Sequence, residues 1–181
     1  ALPETWFDMA ALLNGTSVMD AVLRWTSEKN VESLISSAEK KFQGPGNLLA
    51  LPYLSGERTP HNDSQIRGAI VGLSHTTATE DITLAFLESI GFSLADGLDA
   101  LLENNVKPER LIVIGGGSKS DFLAQLIASI LDINITICAS SAYAPSIGAA
   151  RLARLAAKND SIKDVIVTLP VTKVFEPDKA L

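Results

Sequence analysis

The chain has 181 residues, of which 46% are hydrophobic, and this suffices for one domain of ordinary size with its own core. A formal net charge of −6 argues against nucleic acid or an anionic membrane as the main partner. A single cysteine, Cys138, excludes an internal disulfide and argues against a structural zinc site. Because the sequence shows no apolar run of membrane-spanning length and no secretory signal pattern, we expect a cytoplasmic protein.

The first part of the chain predicts one strand and two helices. The apolar run over residues 6–13 reads as a strand, although its pattern is ambiguous with a helix, and a turn signal ends it. Apolar residues at helical spacing predict a helix over residues 18–29 with Ser17 as its N-cap. A second, short helix is predicted over residues 31–42.

The middle of the chain predicts two strands, a polar loop and a long helix. Residues 48–52 and 68–73 read as strands, and the Gly- and Pro-containing stretch of residues 55–67 reads as an irregular loop. Long ordered loops often carry function. The longest helical pattern covers residues 79–104, with Thr79 as a candidate cap.

The last third alternates between strand and helix patterns. Residues 110–117 and 133–140 predict strands, and residues 120–132 and 145–159 predict amphipathic helices. Strand, helix, strand and helix at these lengths indicate an α/β layer with parallel pairing. We therefore expect a mixed sheet flanked by helices.

Three consecutive glycines, Gly115, Gly116 and Gly117, stand where a predicted strand gives way to a helix. Without Cβ atoms, this turn allows a ligand or another backbone to approach closely. A helix N-terminus offers unpaired N–H groups that suit a phosphate or a ribose. The alternative is a tight turn without a ligand, and position alone leaves both open. A Walker loop is excluded because Ser118 separates Gly117 from Lys119.

The residues after the glycines also have structural interpretations. A dinucleotide fingerprint would need glycine or alanine where Ser120 stands, so that motif fails. Ser118 and Asp121 have the spacing of a capping box, which is the default interpretation for both. Lys119 is either a phosphate contact or a solvated lysine at the helix rim.

The loop "SGERTPHND" places Gly56, Glu57 and Arg58 in a short polar span. A Glu-Arg pair there could orient a polar substrate or form an ion pair that pins the loop, and we favour pinning. Glu88 interrupts an apolar helix pattern, and we expect it on the solvent face rather than buried with a partner. Cys138 ends an apolar strand and is expected to be a packed thiol.

Several segments in order along the chain resemble the FGGY family of carbohydrate kinases. They include "LPYLSGERTPHND", "RGAIVGL", "GGGSKSDFLAQLIASIL", "GAARLA" and "FEPDKAL". The second signature of the family is matched by Gly68, Ile70, Gly72, Leu73, Asp81, Ile82, Ala85 and Glu88. The similarity covers nearly the whole chain and is weakest around residues 27–45.

This resemblance implies an α/β fold of the actin-like, ribonuclease-H-like ATPase type, with this chain, residues 1–181, as the C-terminal lobe. It implies phosphorylation of a sugar by ATP with Mg²⁺, with D-xylulose as the first candidate and ribulose, gluconate or glycerol as alternatives. The family's nucleotide segment matches Gly115, Gly116, Gly117 and Ser118, and more weakly Lys119 and Asp121. The loop containing Gly56, Glu57 and Arg58 is expected to face the substrate cleft.

In the family, the catalytic base and the first phosphate loop belong to the N-terminal lobe, which would precede Ala1. We therefore assign no catalytic residue and no metal ligand in this chain, and we expect the isolated lobe to be inactive. We also expect a homodimer and a ragged tail over residues 174–181. A different hypothesis is a non-catalytic interaction domain on the same scaffold.

Overall fold

The structure, a computed structural model, describes residue 4, residues 6–158 and residues 160–179. Six α-helices and five strands are assigned within these residues. The helices are α1 (Val18–Thr26), α2 (Val31–Lys41), α3 (Thr79–Glu103), α4 (Asp121–Leu131), α5 (Ala144–Ala157) and α6 (Ile162–Val165). The strands are β1 (Leu49–Leu51), β2 (Ala69–Val71), β3 (Leu111–Ile112), β4 (Ile135–Cys138) and β5 (Val171–Phe175). Membrane-spanning length and apolarity are not reached by any helix in the described part of the chain.

The larger sheet has three strands in the order β3-β4-β5. β3 and β4 are parallel, with Leu111 opposite Ile135, and α4 forms the connection between them. β4 and β5 are antiparallel, with Ile135 opposite Phe175. This confirms the predicted mixed sheet and its parallel pair. The expected ragged tail is wrong for Val174 and Phe175, which are paired in β5, while residues 180–181 lie outside the described residues.

The long helix α3 is the centre of the core. It packs against α1, α2, α4 and β1, and its side chains Phe86 and Leu87 are fully buried. A Cβ on Gly91 would collide with the Ile130 side chain, so this glycine allows α4 to approach α3 closely. The apolar faces of α3 and α4 therefore pack on each other, and α4 in turn packs on β4 and β5.

The helix ends differ from the predictions in their chemistry. Thr79 is the first residue of α3 and not its cap; the backbone N–H of Ala78 instead donates to the Asp81 carboxylate at 2.8 Å. Ser17 precedes α1 but makes no capping hydrogen bond through its side chain. α1 ends at Thr26, three residues before the predicted end, because Ser27 takes a left-handed conformation with φ of 57°.

Residues 6–13 form neither a strand nor a helix, so the predicted strand is wrong. A strand needs a neighbour for its backbone groups, and those of residues 11–13 bond to the polar loop instead. β1 and β2 do form, as an antiparallel pair with Ala50 opposite Ile70, but each is shorter than predicted. The polar loop between them therefore starts and ends at one small sheet.

Candidate functional site

The three glycines lie in the turn between β3 and α4. β3 ends at Ile112, earlier than predicted, and Gly116–Lys119 form one turn of 3₁₀ helix before α4 begins. The N–H of Gly115 donates to the carbonyl of Ser141 at 3.0 Å, which fixes the start of the turn beside the end of β4. The turn therefore follows the carboxyl ends of two parallel strands, where open α/β sheets commonly place ligands.

The predicted capping box of Ser118 and Asp121 is wrong. The Ser118 hydroxyl donates to the carbonyl of Gly115 at 2.8 Å and so closes the turn on itself. Ser120 is the N-cap of α4, where its hydroxyl accepts the N–H of Leu123 at 3.1 Å. Among the described residues, no protein acceptor is found for the N–H groups of Gly116 and Gly117. These two amides are therefore available to an anion.

Each glycine of the turn has a different steric role. Gly115 has φ of 76°, a conformation that residues with a Cβ adopt at a cost. A Cβ on Gly116 would meet no atom within 4 Å. A Cβ on Gly117 would lie 3.2 Å from the methyl carbon of Thr16, so this glycine allows close packing against the chain before α1. A Cβ on Gly115 would likewise meet no atom within 4 Å, so the backbone of Gly115 and Gly116 leaves space that a ligand can occupy.

A cavity of 670 Å³ opens beside this turn, between the helices α1 and α2 and the start of α4. Ile35 and Phe122 contribute apolar wall, and Gly116 and Gly117 form one rim. An apolar wall next to unpaired amides suits a ligand with an aromatic ring and a phosphate group. Sequence reasoning missed Ile35 and Phe122, because both read as ordinary helix-face residues.

Lys119 and Asp121 both line this cavity but differ in their contacts. Lys119 is exposed, and no ion pair involving it is found among the described residues. The Asp121 carboxylate accepts from the Lys173 ammonium group at 2.5 Å, which ties the start of α4 to β5. The rim also carries Asp20, Glu32 and Glu39, so it is predominantly acidic.

The polar loop is pinned, but not by the ion pair that the sequence suggested. The Glu57 carboxylate is 2% exposed and accepts the backbone N–H of Leu13 at 2.7 Å and the Asn14 side-chain amide at 3.1 Å. The backbone of Glu57 pairs in both directions with Asp63 across the loop. Arg58 is exposed, and its backbone N–H also donates to Glu57 at 2.8 Å. Glu57 is therefore an anchor inside the protein rather than an exposed contact group.

Gly56 is required by the geometry of this loop. It has φ of 75°, and a Cβ there would lie 2.8 Å from the Cα of Ser64. Gly56, Glu57 and Arg58 do not line the 670 Å³ cavity, so the structure does not bring the loop and the glycine turn into one pocket. The two sites are connected instead through residues 14–16.

A second, largely apolar cavity of 640 Å³ adjoins the first. Its walls include Ala10 and Leu12 on one side, the β3 residues on the other, and Leu94 and Leu98 of α3. Gly116, Gly117 and Thr16 line both cavities. The glycine turn therefore lies between the 670 Å³ cavity, which has an acidic rim, and the largely apolar 640 Å³ cavity.

The residues of the second FGGY signature have structural roles. A Cβ on Gly72 would lie 2.7 Å from the carbonyl oxygen of Asn47, and one on Gly68 would lie 3.0 Å from that of Leu51. Both glycines therefore allow the ends of β2 to pass close to the backbone of β1 and of the residues that precede it. Asp81 holds the start of α3 and also accepts from the Lys41 ammonium group of α2 at 2.8 Å.

Glu88, which closes that signature, is buried, so the expectation of a solvent-facing side chain is wrong. It is 7% exposed and accepts the backbone N–H of Gly46 at 3.2 Å. Burial raises the pKa of this carboxyl group above its ordinary value, and the hydrogen bond from Gly46 offsets only part of that effect. The hydrogen bond from Gly46 to Glu88 therefore joins α3 to the turn before β1. Because the carboxyl group is buried there, its ionised form is disfavoured.

The raised pKa of Glu88 predicts a pH dependence of stability. The folded chain binds this proton more tightly than the unfolded chain, so the contribution of Glu88 to stability is fully present below the unfolded pKa and is lost as pH rises through the folded pKa. Between about pH 4 and about pH 8, wild type should therefore lose stability relative to Glu88→Gln as this carboxyl group ionises. Urea titrations across this range measure the difference.

The exposed Glu103, at the end of the same helix, offers the control for Glu88. Glu103→Gln should change the free energy of unfolding little, because the Glu103 side chain is exposed to solvent in the folded chain. A Glu88→Gln curve parallel to wild type at all pH values would contradict the assignment of a shifted, buried carboxyl group.

The other titratable candidates make ordinary structural contacts. Cys138 is buried at the end of β4, which confirms the packed thiol. An imidazole nitrogen of His61 lies 2.9 Å from the hydroxyl of Tyr53, and their rings meet edge to face. Within the described residues, no three His, Cys, Asp or Glu side chains are grouped so that they could hold a metal ion.

Comparison with known proteins gives a consistent result. The family model "FGGY family of carbohydrate kinases, C-terminal domain" matches residues 6–157. The xylulose kinase of Escherichia coli (strain K12) is 36% identical over 179 residues, which cover 98% of this chain and 37% of that protein. The chain thus spans little more than a third of the length of this relative.

Solved structures show the same relationship. A xyloylose kinase from Brucella ovis superposes with a TM-score of 0.85 at 32% identity, covering 99% of this chain and 37% of that one. Plasmodium falciparum glycerol kinase with ADP gives a TM-score of 0.73 at 25% identity, covering 90% of this chain and 32% of that one. The α/β fold is the actin-like ATPase fold of these kinases. The chain therefore belongs to the FGGY family of carbohydrate kinases and corresponds to the C-terminal domain of that family.

Proposed function

We propose that this chain is the nucleotide-binding lobe of an ATP-dependent sugar kinase. The observation that carries the proposal is the pair of unpaired amides at Gly116 and Gly117, which open on a cavity with an apolar wall. The amides would bind phosphate oxygens and the wall, with Ile35 and Phe122, would hold the base. A related glycerol kinase was crystallised with ADP, which is in keeping with this ligand.

The acidic rim explains why the nucleotide would bind with Mg²⁺. Asp20, Glu32 and Glu39 line the cavity and would repel a bare polyphosphate. A Mg²⁺ ion on the phosphates neutralises part of their charge, and such ions are held largely by the phosphates and water. Lys119, exposed at the same rim, is our candidate for a direct phosphate contact.

We propose D-xylulose as the sugar, with D-xylulose 5-phosphate as the product. Support comes from the names of the related proteins, of which the Escherichia coli relative is a xylulose kinase. Ribulose, gluconate and glycerol remain alternatives, since a ribulokinase, a gluconate kinase and a glycerol kinase are also related. The loop with Gly56, Glu57 and Arg58 is our candidate for the substrate side, and of these residues only Arg58 is exposed.

Calorimetric titration of MgADP and MgATP into the chain tests the nucleotide proposal. We expect saturable binding of both ligands, because the amides and the wall are preformed. If neither nucleotide binds, the same titration on a longer polypeptide that includes the rest of the kinase is decisive. Absence of binding there would favour a non-catalytic interaction domain over a kinase lobe.

We also propose that other parts of the kinase cover the apolar surface around residues 6–13. Trp6, Phe7 and Met9 are 94%, 77% and 69% exposed, and the 640 Å³ cavity lies beside the residues that follow them. Exposed apolar patches of this kind mark interaction sites. The N-terminal lobe of the kinase and a second copy of the chain, forming a homodimer, are the two candidate partners.

The isolated chain is accordingly expected to self-associate. Sedimentation velocity should show a weight-average sedimentation coefficient that rises with protein concentration, because uncovered apolar surface gains free energy on contact. Replacing Trp6 and Phe7 together by serine should shift the rise to higher concentration. Val167→Ser, at a residue 53% exposed in the loop before β5, is the control and should have no effect. A monomer at every concentration would contradict the prediction.

A further inference from the structure

The polar loop, residues 55–67, is hydrogen-bonded to residues 11–14 at two points, and we call this set of hydrogen bonds the latch. At one point the Glu57 carboxylate accepts three N–H groups, from Leu13 at 2.7 Å, Arg58 at 2.8 Å and the Asn14 side chain at 3.1 Å. At the other point the N–H of Thr59 donates to the carbonyl of Ala11 at 3.0 Å, and its hydroxyl accepts the N–H of Ala11 at 3.1 Å. The loop and this segment therefore form one unit.

The charge of Glu57 is held by hydrogen bonds rather than by a cation. None of the ion pairs among the described residues includes this carboxylate. Burial by itself would raise its pKa, but the N–H donors of Leu13, Asn14 and Arg58 bring the pKa below its ordinary value. Glu57 therefore stays ionised at neutral pH, and a charged acceptor makes stronger hydrogen bonds than a neutral one.

Asn14 extends the latch on its other side. Its side-chain amide also donates to the carbonyl of Gly56 at 2.6 Å, and its side-chain oxygen accepts the N–H of Ser55 at 3.3 Å. Asn14 is itself only 3% exposed. All the polar atoms of this side chain are thereby used to hold residue 14 against the loop.

Residues 15 and 16 lead directly from the latch to the glycine turn. The carbonyl of Gly15 accepts the N–H of Val18, and that of Thr16 accepts the N–H of Met19, which fixes both residues to the start of α1. The methyl group of Thr16 packs on Gly117, where even a Cβ would come within 3.2 Å. Thr16 is thus held on one side by the latch and on the other by the turn.

We propose that Glu57 is a positioning residue for the glycine turn and acts through Asn14 and Thr16. By fixing residues 13 and 14, it fixes the side chain of Thr16 against Gly117 and so sets the position of the Gly116 and Gly117 amides. The consequence for the kinase rests on the proposed function: a movement of the polar loop changes the nucleotide site, although the two sites share no cavity.

Hydrogen–deuterium exchange of the unliganded chain tests this coupling. In Glu57→Gln, the amides of Ser118 and Ser120, which bond within the turn to Gly115 and Gly117, should exchange roughly tenfold faster than in wild type. Amides in the centre of α3 should keep their wild-type rates. Acceleration confined to the amides of Leu13 and Arg58, with the turn unchanged, would overturn the proposal.

Two further variants separate the route from a general loss of stability. Thr16→Ser removes only the methyl group that packs on Gly117 and should accelerate the turn amides while leaving that of Leu13 unchanged. Ser55→Ala keeps the backbone N–H that donates to the Asn14 side chain and should change neither region. If Glu57→Gln does not fold, Asn14→Ser takes its place under the same criterion.

Titration of MgADP into the same variants keeps the two proposals distinguishable. If both hold, Glu57→Gln and Thr16→Ser bind MgADP more weakly than wild type, and Ser55→Ala binds equally well. A faster-exchanging turn in a chain that never binds nucleotide supports the positioning role and removes the proposed function. If wild type binds MgADP but the turn amides of Glu57→Gln exchange at the wild-type rate, the proposed function is supported and the positioning role is removed.

Discussion

Gly72→Ala is expected to lower the free energy of unfolding by about 3 kcal/mol. Gly72 follows β2 with φ of 98°, where an L-residue is strained, and a Cβ there would lie 2.7 Å from the carbonyl oxygen of Asn47. The colliding atom belongs to the backbone, so no rotamer change relieves the contact. Urea denaturation followed by circular dichroism should show a lower midpoint with an unchanged slope.

Gly148→Ala is the matched control for this substitution. Gly148 lies inside α5, and a Cβ there would meet no atom within 4 Å. Alanine has the higher helix propensity, so this variant should be more stable than wild type by roughly 0.5–1 kcal/mol. The same chemical change thus has opposite signs at two sites. Equal stability of Gly72→Ala and wild type would show that β2 and Asn47 are not in close contact.

The expected effect at Gly72 indicates a structural role for the second FGGY signature. Gly72 passes the carbonyl of Asn47, and Glu88 accepts the N–H of Gly46, so two signature positions contact the same short turn before β1. Asp81 holds the start of α3 on α2. In this chain, these signature residues therefore have structural roles. The candidate nucleotide contacts lie elsewhere, in the Gly115–Gly117 turn.

The sequence predicted best the elements whose pattern is set by their own residues. The helices α3, α4 and α5 and the buried strand β4 each have a sustained period or an apolar run, and each forms at nearly the predicted place. The parallel pairing of β3 and β4 followed from the helix between them. These features depend on local periodicity and on burying one face, which a single sequence records.

Features that depend on distant partners were not predictable in this way. Residues 6–13 have a strand-like composition, but their backbone groups bond to the loop around Glu57, more than forty positions away. The sequence does not indicate that Glu88 and Glu57 are buried, because most of their partners are backbone N–H groups, which every residue except proline has. The cavity wall of Ile35 and Phe122 likewise exists only once α2 and α4 meet.

Gly116→Val is expected to weaken MgADP binding at least about a hundredfold, which corresponds to roughly 2.7 kcal/mol. Gly116 lines both cavities, and its amide is one of the two that we propose to bind phosphate. A valine side chain would project into the space that the ligand needs. Calorimetry with MgADP measures the loss directly.

The fold should tolerate this substitution, which is what makes the loss of binding informative. A Cβ on Gly116 would meet no atom within 4 Å, and Gly116 does not have a positive φ. The midpoint of urea denaturation should therefore stay close to that of wild type. Gly116→Ala adds a single carbon and should weaken binding less than valine does, because less of the ligand's space is filled. Wild-type affinity in Gly116→Val would place the nucleotide away from this turn, and a graded loss from glycine through alanine to valine would place its phosphates against the Gly116 amide.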